Sequence, residues 1–167
     1  MAKGDAVPEE HHVTRWIKPR FLGKNDDGTV DVDEFGCPQT IFPSAFELRD
    51  DEDALSITWL EHFGATLADQ LPLAAEAVRS ATASGDLKPK SAFAVGNVGQ
   101  IRTAAQDHGF KVRIIEDPED NNTGHCEVRR YPRDADEFYQ AMALDVFRRR
   151  YLYGDIVKPG WGPALAH

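Results

Sequence analysis

Apolar and polar positions repeat along this chain with two different periods, and each change of period marks an element. Val13-Thr-Arg-Trp-Ile17 alternates and is rich in β-formers, so it predicts a strand that Pro19 ends. Leu55-Ser-Ile-Thr-Trp-Leu60 alternates strictly, with Leu55, Ile57 and Trp59 on one face, as a half-buried strand does. The period then lengthens. Leu67, Leu71, Ala74, Val78 and Ala81 recur at helical spacing, with Thr66 and Asp69 as a cap and Gly85 beyond the end. Pro72 is tolerated only near a helix start, which places the well-formed part from about Gln70.

The stretch from Lys90 to Tyr131 shows the clearest alternation of patterns. Ala92-Phe-Ala-Val95 is a short apolar run and reads as a buried strand. Asn97 can cap a helix with Gln100 in the third position; Val98, Ile101, Ala105 and His108 share its face, and Gly109 stops it. Phe110–Ile115 reads as a further strand, Asp117–Gly124 as a polar loop, and His125–Arg130 as the returning strand. A strand–helix–strand unit of this length suits a parallel right-handed crossover, with Phe93, Ile114 and Val128 side by side. Asp134-Ala-Asp-Glu137 then opens a last helix, carrying Phe138, Tyr139, Met142, Val146 and Tyr153 in a stripe and Arg148–Arg150 in its final turns.

Between these elements lie a hairpin turn at Asn25-Asp-Asp-Gly28 and a single helical turn at Pro43–Glu47. The expected fold is α+β: a single domain over residues 13–154, with a mixed sheet of about five strands and about three helices. Residues 1–12 read as a flexible N-terminal arm and 155–167 as a C-terminal tail.

Composition narrows the function classes. The chain has 167 residues, 41% of them hydrophobic, enough to bury a core without staples. No apolar run approaches the ~18 residues of a membrane span. Two cysteines, Cys37 and Cys126, are too few for a disulfide framework and read as free thiols, so the expected compartment is the cytoplasm. The net charge of −9 sits mainly in residues 1–60, while residues 121–167 are near neutral. An acidic body opposes nucleic-acid binding, whose affinity comes largely from neutralised phosphates. Only Arg129, Arg130, Arg148, Arg149 and Arg150 offer a surface for it.

Candidate chemistry gathers around the last loop and the helix before it. His125 opens a strand directly after that polar loop, where a side chain is held yet meets solvent, and Asn122 is close by. Cys126 follows His125, but neighbours on a strand face opposite ways, so the two are no nucleophile–base pair. Arg102 lies one turn into the preceding helix, and together the expected catalytic set is His125, Asn122 and Arg102. Gly96-Asn97-Val98-Gly99 at a strand-to-helix junction could present backbone N–H groups to an anion, although it is neither a dinucleotide fingerprint nor a P-loop. Cys37, His62, His125 and Cys126 lack metal-ligand spacing, so neither metal nor cofactor is expected. No Ser-His-Asp order is legible.

Leu55-Ser-Ile, the strand–helix–strand with Arg102, and Asp117-Pro…Asn122…His125-Cys-Glu-Val together resemble a pattern in small, uncharacterised bacterial proteins. There the strand reads Leu-Ser-Val and the loop Asp-Pro…Asn-Pro-x-His. The resemblance spans about Phe35 to Phe147; this chain has no proline after Asn122, and Cys126 stands in place of a small residue. It implies a link to bacterial defence or conflict gene clusters. The expectation that follows is a non-enzymatic accessory protein binding a protein partner through its acidic surface. The alternative is a small enzyme or nucleotide-responsive domain built on His125, Asn122 and Arg102.

Overall fold

The computed structural model describes residues 4–163. Six strands form one sheet: β1 (His12–Ile17), β2 (Leu55–Trp59), β3 (Ala92–Asn97), β4 (Arg113–Glu116), β5 (His125–Arg129) and β6 (Arg149–Leu152). They lie in the order β4-β5-β2-β1-β3-β6, and every neighbouring pair is antiparallel. Four helices accompany them: α1 (Leu67–Ala81), α2 (Val98–Asp107), α3 (Asp136–Ala141) and the short α4 (Tyr153–Ile156). The α+β class holds, with one strand more than expected and no parallel pair. No helix among the described residues is long and apolar enough to cross a membrane.

The expected parallel crossover is replaced by a longer one. Strands β3 and β4 run in the same direction, but β1, β2 and β5 lie between them. Ile114 and Val128 are cross-strand partners as expected, whereas Phe93 faces the opposite side of the sheet. The physical reason lies at the N-terminus: β1 offers β3 a full six-residue register from His12↔Asn97 to Ile17↔Ala92, and so takes the place beside it. The N-terminal arm is also tied down over its described part. Gly4 and Val7 donate backbone bonds to Glu116 and Ile114, and Glu116 donates to Asp5, so residues 4–7 cover the β4 edge.

Two cores sandwich the sheet. One face carries Val13, Ile17, Leu55, Ile57, Ala92, Ala94, Cys126 and Val128 under α2, α3 and the turn Pro43–Phe46. The other carries Phe93, Val95 and Tyr151 under Leu71, Ala74 and Ala75 of α1. The alternation in β2 therefore falls as the sequence predicts. Thr66 caps α1 and Asn97 caps α2, each accepting a backbone N–H from the residue three positions on. The Asn25–Gly28 turn closes as expected, with Asn25 N–H donating to Thr29 O at 2.8 Å.

The last helix is much shorter than its apolar stripe suggests. After Ala141 it widens into a π-turn, Met142–Val146, and Phe147 leaves it. Arg148–Arg150 are therefore not in a helix; Arg149 and Arg150 start the edge strand β6. Arg150 is buried, and its guanidinium donates to the carbonyls of Phe147 at 2.9 Å, Gln39 at 2.6 Å and Ala143. It closes the end of the π-turn from the side.

Candidate functional site

Helix α1 covers only part of its face of the sheet, and the β2–β5 side remains open. Strand alternation turns Ser56, Thr58 and His125 out on that face, opposite Leu55, Ile57, Cys126 and Val128. Thr58 and His125 are direct cross-strand partners. A cleft of about 280 Å³ opens here, bounded by Thr14, Trp16, Ser56, Thr58, Asn122 and His125, with Val78 of α1 and Thr82 just past its end on one side.

The cleft exists because the sheet splits. Strand β1 pairs with β2 only at Val13↔Trp59 and Thr14↔Thr58, and beyond Thr14 the two strands part. The Ser56 carbonyl, left without a ladder partner on β1, accepts from Arg15 Nη1 at 2.9 Å. Arg15 Nε donates to Ala45 O at 2.9 Å, and its guanidinium lies over the Phe46 ring. Burial lowers the Arg15 pKa from its usual value. An extended residue directs its N–H to the same side as its C=O, so the Ser56 amide also faces this gap.

His125 is held by both ring nitrogens. Its Nδ1–H donates to the Asp117 main-chain oxygen at 2.9 Å, and the Asp117 carboxylate stands 3.3 Å from the same atom. That bond fixes the tautomer and leaves Nε2 to accept from the Ser56 hydroxyl at 3.1 Å. Ser56 is exposed, while His125 is 9% accessible. Ser56 thus bonds to one ring nitrogen of His125 and the Asp117 main-chain oxygen to the other, with the Asp117 carboxylate beside it. Glu119 Oε1 stands further off, 3.9 Å from Nδ1.

Asn122 organises the loop behind His125. Buried at 3% exposure, it donates from Nδ2 to Thr58 Oγ1 at 3.0 Å and accepts from Gly124 N–H at 3.1 Å; its carbonyl accepts from His125 N–H at 3.1 Å. These bonds shape the turn, so Asn122 positions His125. Gly124 is required there: a Cβ would lie 2.5 Å from the Phe63 ring. His62 fastens the loop from the other side, through Thr123 Oγ1 at 2.9 Å.

Arg102 does not join this group. It lies on α2, which packs on the opposite face, and it pairs with Glu9. The expected anion site fares likewise. Gly96, Asn97 and Gln100 do border a cleft of about 510 Å³ together with Arg148 and Arg149. The free N–H groups of α2 are nevertheless taken: Val98 donates to His11 O, Gly99 to Glu9 O, and Gln100 to Asn97 Oδ1. Gly96 is small because Phe147 packs on it, where a Cβ would meet the ring at 2.9 Å. The late arginines form no common surface either, since β2, β1 and β3 lie between β5 and β6 and Arg150 is buried.

Cys126 points into the core behind His125, and burial pushes its thiol up to about 12. Cys37 sits in the other core. The four residues weighed for zinc therefore do not converge. Another set does: Asp117, Glu119 and His125 each bring a ligand atom to within 4.8 Å of the others. Ser56, Asp117 and Arg15 are the residues that sequence reasoning missed. A small hydroxyl at the outward position of an alternating strand was the available signal for Ser56.

Compared with protein-family models, with curated proteins and with solved structures, the chain matches none. The two stretches that carry the resemblance, Leu55-Ser56-Ile57 and Asp117…Asn122…His125, nevertheless meet at one place, through the contacts of Ser56 and Thr58 with His125 and Asn122.

Proposed function

We propose that this cleft is the active site of a small hydrolase acting by acyl transfer, with Ser56 as nucleophile. The observation that carries the reading is the chain Ser56 Oγ–His125 Nε2 at 3.1 Å and His125 Nδ1–Asp117 Oδ2 at 3.3 Å. As Ser56 Oγ bonds to the acyl carbon, its proton passes to His125 Nε2. His125 then returns that proton to the departing alcohol, and water hydrolyses the acyl-serine by the same route. Asp117 and its carbonyl hold the imidazole in the tautomer that leaves Nε2 free to accept. The Ser56 N–H and the Arg15 guanidinium, both in the strand gap, are the donors for the negative oxygen that develops.

The test is covalent labelling by an alkyl fluorophosphonate, followed by intact mass and peptide mapping. One adduct on Ser56 is expected. It should vanish in Ser56→Ala and form ~10²-fold more slowly in His125→Gln, the scale of a lost general base. A wild-type protein that stays unlabelled, or labels at another serine, removes the reading.

A divalent cation held by Asp117, Glu119 and His125 is the second reading, favoured by their mutual reach. It requires Nδ1 to surrender the proton now given to Asp117 O, and it predicts a Tm rise with Mn²⁺ or Zn²⁺ that Asp117→Asn abolishes. Interaction with a protein partner through an acidic surface rests on the net charge alone.

A further inference from the structure

We infer that the ligand of this cleft carries a negative charge on its non-reacting end, an inference that takes from the hydrolytic reading which end reacts. A second cleft, of about 690 Å³, continues from the first and shares Arg15, Trp16, Arg49 and Ser56 with it, so the two form one groove. Beyond Ser56 the groove is bordered by Trp16, Lys18, Arg20 and Phe21.

Lys18 and Arg20 are held against aromatic rings here. Lys18 Nζ stands 5.8 Å from the centre of the Trp16 ring, and the Arg20 guanidinium 4.7 Å from that of Phe21. Arg15 donates to two carbonyl oxygens. Neither Lys18 nor Arg20 forms an ion pair among the described residues. Glu47, Asp50 and Glu52 also border the groove; Glu52 pairs with Arg49 at 3.2 Å, and among the described residues neither Glu47 nor Asp50 comes within ion-pair distance of Lys18 or Arg20. On a chain of net charge −9, two cations set against rings at one groove run against the composition. A ligand carboxylate or phosphate would supply the missing counter-charge, while its apolar part lies along Trp16 and Leu48. The substrate class is therefore an ester with an anionic group remote from the scissile bond.

Two measurements test this. The first compares labelling of Ser56 by a neutral fluorophosphonate and by one with a terminal carboxylate. The anionic probe should react about tenfold faster at low salt, within the range by which charged clefts raise encounter rates. That ratio should fall towards one in the double variant Lys18→Gln/Arg20→Gln. The second follows the Trp16 indole and Phe21 amide signals in ¹H–¹⁵N spectra during titration with phenyl phosphate and glutarate, against benzyl alcohol and glutaramide as neutral controls. Saturable shifts with the anions, lost in the double variant, support the inference. A response to only one anion identifies the group as phosphate or carboxylate. Equal shifts with the neutral controls, or none with either anion, overturn it. Anion-specific shifts with Ser56 unlabelled by both probes remove the hydrolytic reading and leave the anion site standing.

Discussion

Cys126 and His125 are neighbours in the chain with opposite fates, and the strand between them explains both. His125 faces the open cleft, while Cys126 points into the core with no accessible surface. Burial pushes the Cys126 thiol up to about 12 and the Cys37 thiol, helped by nearby Asp33 and Asp155, up to about 11. Since the thiolate is the reactive form, about one part in a thousand or less of either would be ionised at pH 8. The native protein should therefore react slowly with a disulfide reagent such as DTNB at that pH, and release two equivalents promptly in guanidinium chloride. A fast native equivalent would mean that one thiol is far less buried than this. His125 drew attention in the sequence because a loop rich in turn residues, which holds Asn122, leads straight into its strand. Arg102 was misread because its partner, Glu9, lies 93 residues away, on an arm whose path no local pattern fixes. Ser56 stayed hidden for a like reason: its link to His125 spans 69 residues and depends on the β2–β5 register.

At the scale of elements, periodicity found five strands and the caps of α1 and α2, because apolar spacing and caps are local. It failed where a tertiary contact ends an element. The stripe Phe138–Val146 would run on as helix, but Phe147 is drawn against Phe46, ring centres 5.0 Å apart, and against Gly96. Arg150 then secures the exit. Its three carbonyl acceptors come from the π-turn, the residue after it and the loop at Gln39, so one guanidinium fixes where helix gives way to strand. An ammonium cannot fork across three such acceptors. Arg150→Lys should therefore destabilise the fold by about 2 kcal/mol, the scale of a charge-assisted hydrogen bond lost in a buried place. Urea unfolding should show a lower midpoint with an unchanged m-value. An exposed arginine such as Arg148 provides the control, for which Arg148→Lys should be nearly neutral.

The whole molecule is one antiparallel sheet between two cores, and its strand order was only partly legible: the consecutive strands β4 and β5 pair as expected, whereas the neighbours of β1 and β3 depend on a register between distant segments. Local pattern suggested β3 beside β4; the long register of β1 separated them. That order leaves β4 at the rim, where the N-terminal segment closes over it and traps Glu116. This carboxylate is 4% exposed, and its Oε2 has no hydrogen-bond partner among the described residues. Burial raises its pKa above the ordinary 4.5, and Asp5 nearby raises it further. The folded state therefore holds this proton at pH values where the unfolded chain has released it. By linkage, its contribution to stability falls as pH rises from 4.5 through the raised value, and then stays at its full penalty. Below 4.5 both states are protonated and the penalty is absent. Glu116→Gln keeps the shape and removes the charge. Its Tm should match that of the wild type at pH 4, exceed it increasingly as pH climbs through the window, and hold a constant advantage above it. Thermal melts of both proteins from pH 4 to pH 8 measure that difference directly. An advantage that is the same at every pH would mean that the gain comes from packing, and that Glu116 is not held protonated by the closed edge.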